Sequence, residues 1–204
     1  MILECFVAFD TETTGLGPEA RILEVAAVQF YKGKVVREWS RLLHPNGIEW
    51  EDEKVKQALA VNHLTFEMIM GNPLFEDIRC ELLQELSEEV WVAHNTCFDI
   101  RMIEQEMSKL GECLEYKPEL ILDTVPLDYR FNPGQFLKRK LGDVCQRWGV
   151  VQDGAHRAVA DAKACGDILW KMVESGRLPT EPDKLLEFQR EASLSWQHKT
   201  GRAA

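Results

Sequence analysis

Two apolar, β-branched runs, residues 22–31 (ILEVAAVQFY) and 34–43 (KVVREWSRLL), are separated by nothing but Lys32 and Gly33. A two-residue connection between such runs makes an antiparallel hairpin, and a hairpin here draws the preceding apolar run into the same sheet. That run is residues 4–10, which alternate and end in Asp10; Thr13-Thr14-Gly15-Leu16-Gly17-Pro18 supplies the turn that follows. After the hairpin, helical patterns take over. We read a short helix over 51–59 and a longer amphipathic one opened by Asn72-Pro73 and running to about Ser87. Val90–Ala93 is a short buried strand, Asp99 to Lys109 a helix stopped by Gly111, and Leu120–Leu122 a strand ending at Asp123-Thr124. Helices over 136–148 and 157–174 complete the pattern. Three strands followed by strand–helix alternation predict an α/β fold, a sheet with helices on its faces.

Residues 1–176 read as one domain, and 177–204 as a linker and tail. Ser175 to Pro182 carries the linker signals, and 183–197 forms an amphipathic helix or tail that docks Leu185, Phe188 and Trp196 on the domain. The opening MILECFVAF is too short to span a bilayer and lacks a basic leader, so it reads as a core strand. No other run reaches membrane length, so no membrane partner is expected. The six cysteines form no CxxC pair and suit reduced thiols, which suggests a cytoplasmic protein. A net charge of −10 argues against gripping long nucleic acid through a general basic surface. It leaves room for an enzyme that holds a few nucleotides and recruits divalent cations.

Asp10 and Glu12 are one residue apart in extended backbone, so both carboxylates project to one face. Adjacent carboxylates repel unless a cation sits between them or one is protonated, and hard oxygen ligands of this kind suit Mg²⁺ or Mn²⁺. Asp99 follows the Val90–Ala93 strand at a helix start, where a first-turn acid is also favoured by the helix dipole. His94 and Asn95 read as organisers of that loop. Asp161 lies among alanines in the 157–174 helix, and His156 sits on the glycine-containing loop before it. An imidazole titrates near neutrality, so a loop histidine there is able to take a proton from water.

Together these segments resemble the DEDD exonuclease superfamily, in its DnaQ-like, DEDDh branch, similar to the proofreading epsilon subunit of bacterial DNA polymerase III. The matching motifs are Phe9-Asp10-Thr11-Glu12-Thr13-Thr14-Gly15-Leu16, then His94-Asn95-x-x-Phe98-Asp99, then His156-Arg157-Ala158-x-x-Asp161-Ala162. Val61-Asn62-His63-Leu64-Thr65 resembles the family's HGIT-type segment, and Leu122-Asp123-Thr124 its DT strand end. The tyrosine branch would want a tyrosine four residues before Asp161, where Arg157 stands.

The resemblance covers residues 4–174 and implies an RNase H-like fold with a mixed five-stranded sheet. It implies two metal ions held by Asp10, Glu12, Asp99 and Asp161, with His156 as general base and nucleoside 5′-monophosphates as products. It places Thr11, Thr13, Thr14, Gly15 and Leu16 against the terminal nucleotide, with Leu64 as a wedge and Phe98 as a stacking face, although both side chains read equally well as core packing. Lys138-Arg139-Lys140, the one local basic cluster, reads either as a solvated helix face or as a contact to upstream phosphates.

The expected partners are single-stranded or frayed 3′ ends, DNA before RNA, and a polymerase or sliding clamp. Glu191 to Trp196 resembles a clamp-binding peptide, with glutamate for its glutamine and tryptophan for its phenylalanine. Two other readings fit the same residues: an RNase T-like or oligoribonuclease-like RNA trimming enzyme, and a non-catalytic module that binds a 3′ end or a replication partner. Oligomeric state is not legible from the chain.

Overall fold

The computed structural model describes residues 2–116, 118–133 and 138–201. Five strands form one mixed sheet in the order β3-β2-β1-β4-β5. They are β1 (Cys5–Thr13), β2 (Ile22–Tyr31), β3 (Lys34–Leu42), β4 (Val90–Ala93) and β5 (Leu120–Asp123). The pairs β1–β2 and β2–β3 are antiparallel, whereas β1–β4 and β4–β5 are parallel. The hairpin turns at Lys32-Gly33 as its spacing requires. Gly33 has φ +73°, and a Cβ there would lie 2.2 Å from the Trp170 ring, so both backbone and packing demand glycine.

Strand alternation divides the core. Phe6 and Ala8 of β1 join a cluster that includes Val28, Phe30, Val92, Ala162, Cys165 and Leu169. Val7 and Phe9 face the other side, among Val25, Ala27, Trp91, Ile78, Leu82, Met102 and Ile103. The first side is covered by the long helix α7 (Ala158–Glu174), the second by α3 (Phe75–Glu85) and α4 (Thr96–Lys109). The small residues Ala158, Ala162 and Gly166 let α7 approach the sheet closely; a Cβ at Gly166 would lie 2.2 Å from the Phe30 ring.

Several boundaries differ from the sequence reading. β1 continues past Asp10 to Thr13, so Asp10-Thr11-Glu12 lies inside a strand. The first helix, α1, spans Glu53–Val61, because the Asp52 carboxylate accepts from the Lys54 amide as N-cap. Asn72-Pro73 does not open α3: the Asn72 side chain donates to the carbonyls of Met68 and Ile69, ending the one-turn helix α2 (Phe66–Ile69). α4 begins at Thr96, three residues before Asp99. A further helix, α5 (Thr124–Phe131), starts from Asp123 as N-cap where the sequence suggested only a strand end. The helix expected over 136–148 is α6, Leu141–Trp148. Residues 138–140 are not helical, and 136–137 lie outside the described residues.

The tail forms α8 (Pro182–Thr200), with Leu185 and Ala192 buried, Phe188 against Phe131 and Trp196 against Tyr129. The segment resembling a clamp-binding peptide is part of this docked helix, with Leu194 exposed. None of the six cysteines is in a disulfide. Among the described residues no helix is long and apolar enough to cross a membrane.

Candidate active site

Strand parity explains the centre of the site. Asp10 and Glu12 share the side of Phe6 and Ala8, the side covered by α7, whose first turn carries Asp161. One carboxylate oxygen each from Asp10, Glu12 and Asp161 lies within 4.8 Å of the others. Glu12 and Asp161 are buried and Asp10 is half-buried. Burial drives all three toward protonation, and repulsion within the trio adds to it at Asp10 and Glu12. The Asp10 carboxyl is pushed well above the usual range, by desolvation first and then by Asp99, Glu12 and Asp161. Glu12 is pushed up to about 7, by burial and then by Asp161 and Glu24, with Arg157 opposing. Asp161 is raised by burial, against hydrogen bonds from Gln152 and the His156 amide. Three crowded carboxyls that resist ionising without a counter-charge are a fitting set of hard oxygen donors for a divalent cation.

Asp99 is placed differently. Its carboxylate comes from α4, on the opposite face, and its Oδ1 accepts from both the amide (2.9 Å) and the hydroxyl (2.7 Å) of Thr11. Thr11 points to that face because its parity is opposite to that of Asp10. Asp99 therefore sits beside the trio, still repelling Asp10, and burial raises it to about 7 against the Thr11 bonds.

His156 is exposed on the loop before α7 with φ +65°, and its amide donates to Asp161 Oδ2 at 3.4 Å. Its ring lies 5.9 Å from that of His63, which belongs to the segment between α1 and α2. Arg157, next in sequence, pairs through two 3.0 Å hydrogen bonds with the fully buried Glu24 of β2. Glu24 stands opposite Glu12 in the β1–β2 register and also accepts from the Ala158 amide. The ion pair thus ties the His156 loop and the start of α7 to the strand beside the carboxylates.

The turn after β1 is fixed from within. Thr13 Oγ1 donates to the Gly15 carbonyl, Thr14 Oγ1 accepts from the Arg21 amide, and Asn62 donates to the Thr13 carbonyl. Thr11, Thr13 and Thr14 are buried, whereas Leu16 is 76% exposed. Phe98 is half-buried near Leu16, with Arg101 stacked over its ring and donating to the Leu16 carbonyl. Leu64 is a correction. It is 4% exposed and packs with Leu23, Val55, Leu59 and Ile69, so its side chain is core and presents no wedge.

His94 and Asn95 organise the neighbouring loop. His94 bridges Thr124 Oγ1 (2.8 Å) and the Arg139 carbonyl (2.7 Å), and burial lowers its pKa to about 4, leaving it neutral. Asp123 accepts from the amides of Asn95, Thr96 and Val125, clamping the ends of β4 and β5. Sequence reasoning missed Gln152, whose amide donates to Asp161 Oδ1 at 2.6 Å, and the Glu24–Arg157 pair. A buried glutamate inside the apolar strand ILEVAAV was the one signal available for Glu24.

A mixed five-stranded sheet with carboxylates on its central strand, closed by a helix bringing another, defines an RNase H-like fold with a nuclease-type acidic centre. A family model described as exonuclease matches residues 7–169, and the chain belongs to that family, in the DnaQ-like 3′–5′ group. The chain is 30% identical over 185 residues, 90% of its length, to DNA polymerase III PolC-type from Halalkalibacterium halodurans, and spans 12% of that relative. Its fold matches exonuclease X in complex with 5′ overhanging duplex DNA, at 26% identity and a TM-score of 0.67 over 90% of this chain and 99% of that one. The nuclease domain of 3′hExo, a DEDDh family member bound to rAMP, has the same fold at 16% identity, a TM-score of 0.67, and coverage of 85% and 93%.

Proposed function

We propose that this exonuclease removes nucleotides from single-stranded or frayed DNA 3′ ends, releasing nucleoside 5′-monophosphates, with two divalent ions, Mg²⁺ or Mn²⁺. The observation that carries this reading is the trio Asp10, Glu12 and Asp161, with its oxygens within 4.8 Å and its carboxyls raised by burial and by neighbouring carboxylates. These three would hold one ion, and Asp10 with Asp99 would face the other. Such ions, when bound, oppose the charge that develops on the attacking and leaving oxygens of an in-line displacement.

The remaining work falls to the chain. His156, exposed and held by its amide against Asp161, takes the proton from the attacking water. Gln152 and the Glu24–Arg157 pair orient Asp161 and the His156 loop. The fixed turn from Thr13 to Leu16 offers backbone to the terminal nucleotide, while Leu16 and Phe98 offer apolar faces to its base. Thr11 acts indirectly, by holding Asp99. DNA is favoured over RNA because the PolC-type relative is a DNA polymerase and exonuclease X is seen with DNA. A proofreading role beside a polymerase belongs to the same proposal.

The test uses 5′-labelled single-stranded DNA and its RNA equivalent with Mg²⁺, Mn²⁺ or EDTA, and Asp10→Ala and His156→Ala beside the wild type. The expected result is a metal-dependent one-nucleotide ladder, faster on DNA and lost in both variants. A faster RNA ladder would move the enzyme to RNA trimming, and no ladder with intact binding would make it a binding module.

A further inference from the structure

Beside the carboxylates, at the carboxyl ends of the parallel strands, lies a groove lined by His94, Asn95, Val125, Lys138, Arg139, Lys140 and Trp196. The parallel registers Ala8–Val92 and Val92–Leu122 bring the carboxyl ends of β1, β4 and β5 level, so His94 stands beside Asp10 and the groove opens next to it. At one strand spacing of about 4.8 Å, the groove begins roughly 5–10 Å from the acidic trio. A strand whose 3′ end occupies the trio therefore reaches it within the next one or two nucleotides.

The charge of the groove is opposite to that of the chain. Lys138 and Lys140 are exposed, and neither has a carboxylate within ion-pair distance among the described residues. Arg139 of the lining and Arg147 both pair with the fully buried Asp128, which leaves that carboxylate satisfied from within and not turned on the two lysines. On a chain of net charge −10 this concentration stands out. The neutral His94 does not offset it. Trp196, brought by α8, is half-buried and lies against Tyr129, with Arg139 over its ring at 5.6 Å. Unpaired ammoniums next to an indole are the combination that takes a single nucleic-acid strand, phosphates on the cations and a base on the ring.

We propose that this groove binds the strand on the 5′ side of the scissile bond, Lys138 and Lys140 meeting phosphates and Trp196 a base. The inference rests on the exonuclease reading. It gives the docked tail helix a part in substrate binding, since Trp196 lies outside the matched exonuclease region at residues 7–169.

Two measurements separate it from that reading. Binding is followed by anisotropy with a 5′-fluorescein-labelled 8-nucleotide DNA whose 3′-terminal linkage is an uncharged, uncleavable methylphosphonate. Cleavage is followed on the ordinary 8-mer and on the p-nitrophenyl ester of thymidine 5′-monophosphate, which is too short to enter the groove. The Lys138→Ala/Lys140→Ala protein should bind the 8-mer about tenfold more weakly, with the slope of log affinity against log salt reduced by about 1.4, or 0.7 per lost contact. Its kcat/KM should fall similarly on the 8-mer and stay unchanged on the ester. Trp196→Ala should weaken binding about fivefold or more with the salt slope intact, and Trp196→Phe should restore most of it. Wild-type affinity and slope in the double variant overturn the groove, as does an equal loss on the ester. If wild type cleaves neither substrate the exonuclease reading fails, and the anisotropy arm still decides whether the groove binds a strand.

Discussion

Replacing Glu12 by glutamine should make the metal-free protein more stable while removing a ligand its chemistry needs. In the fold, Glu12 is pushed from 4.5 up to about 7 by burial and by Asp161, Glu24 and Asp99. A carboxyl raised in this way binds its proton more tightly folded than unfolded. Its contribution is therefore harmless below pH 4.5 and becomes destabilising as pH rises through 7. At pH 7.5 the cost of ionising it in place is about 3 kcal/mol, and at pH 5 it is under about 1 kcal/mol. Glutamine avoids that charge but must still be desolvated, so we expect a net gain of about 1–2 kcal/mol at pH 7.5. For a chain of this size that is an increase of about 2–8 °C in Tm. The assay is thermal unfolding in EDTA at pH 5 and 7.5, repeated with Mg²⁺. The variant should melt higher than wild type at pH 7.5, nearly level with it at pH 5, and gain less from Mg²⁺. A variant less stable than wild type at pH 7.5 without metal, or a difference independent of pH, would falsify the view that this centre holds frustrated negative charge.

Three other substitutions probe separate parts of the argument. Arg157→Ala leaves Glu24 buried without its partner and should cost about 2–4 kcal/mol by chemical denaturation, Arg157 being partly exposed. Lysine should recover less than half, because it cannot donate the paired bonds. His156→Asn keeps a residue tolerant of φ +65° and should lower kcat by about 10²–10⁴-fold; unchanged Mg²⁺-induced shifts in Tm would show the carboxylates intact. Gly166→Ala drives a methyl into Phe30, itself stacked on Phe6 at 4.8 Å, and should destabilise by about 1–3 kcal/mol; a neutral effect in thermal melts would contradict the close approach of α7 to the sheet.

What the chain determines locally was legible from it. The hairpin at Lys32-Gly33 needs only turn chemistry and flanking β-branched runs, and the common face of Asp10 and Glu12 needs only strand periodicity. The sheet and the family could be read for the same reason: each motif is a short segment whose residues carry their own geometry. Helix ends were less legible where a distant or unanticipated cap set them, as with Asn72 closing α2 and Asp123 opening α5. The tertiary structure alone decided which side chains meet. Leu64 read either as a wedge or as core, and the packing put it in the core beside Leu23 and Ile69, whereas Leu16 is exposed. Asp99 stands apart from the trio because α4 covers the face opposite α7 and delivers it to Thr11. Gln152 meets Asp161, Arg157 meets Glu24, and Trp196 joins Lys138 and Lys140 across long stretches of chain. Such pairings depend on how helices pack over a twisted sheet, a property of the whole assembly that local spacing does not encode.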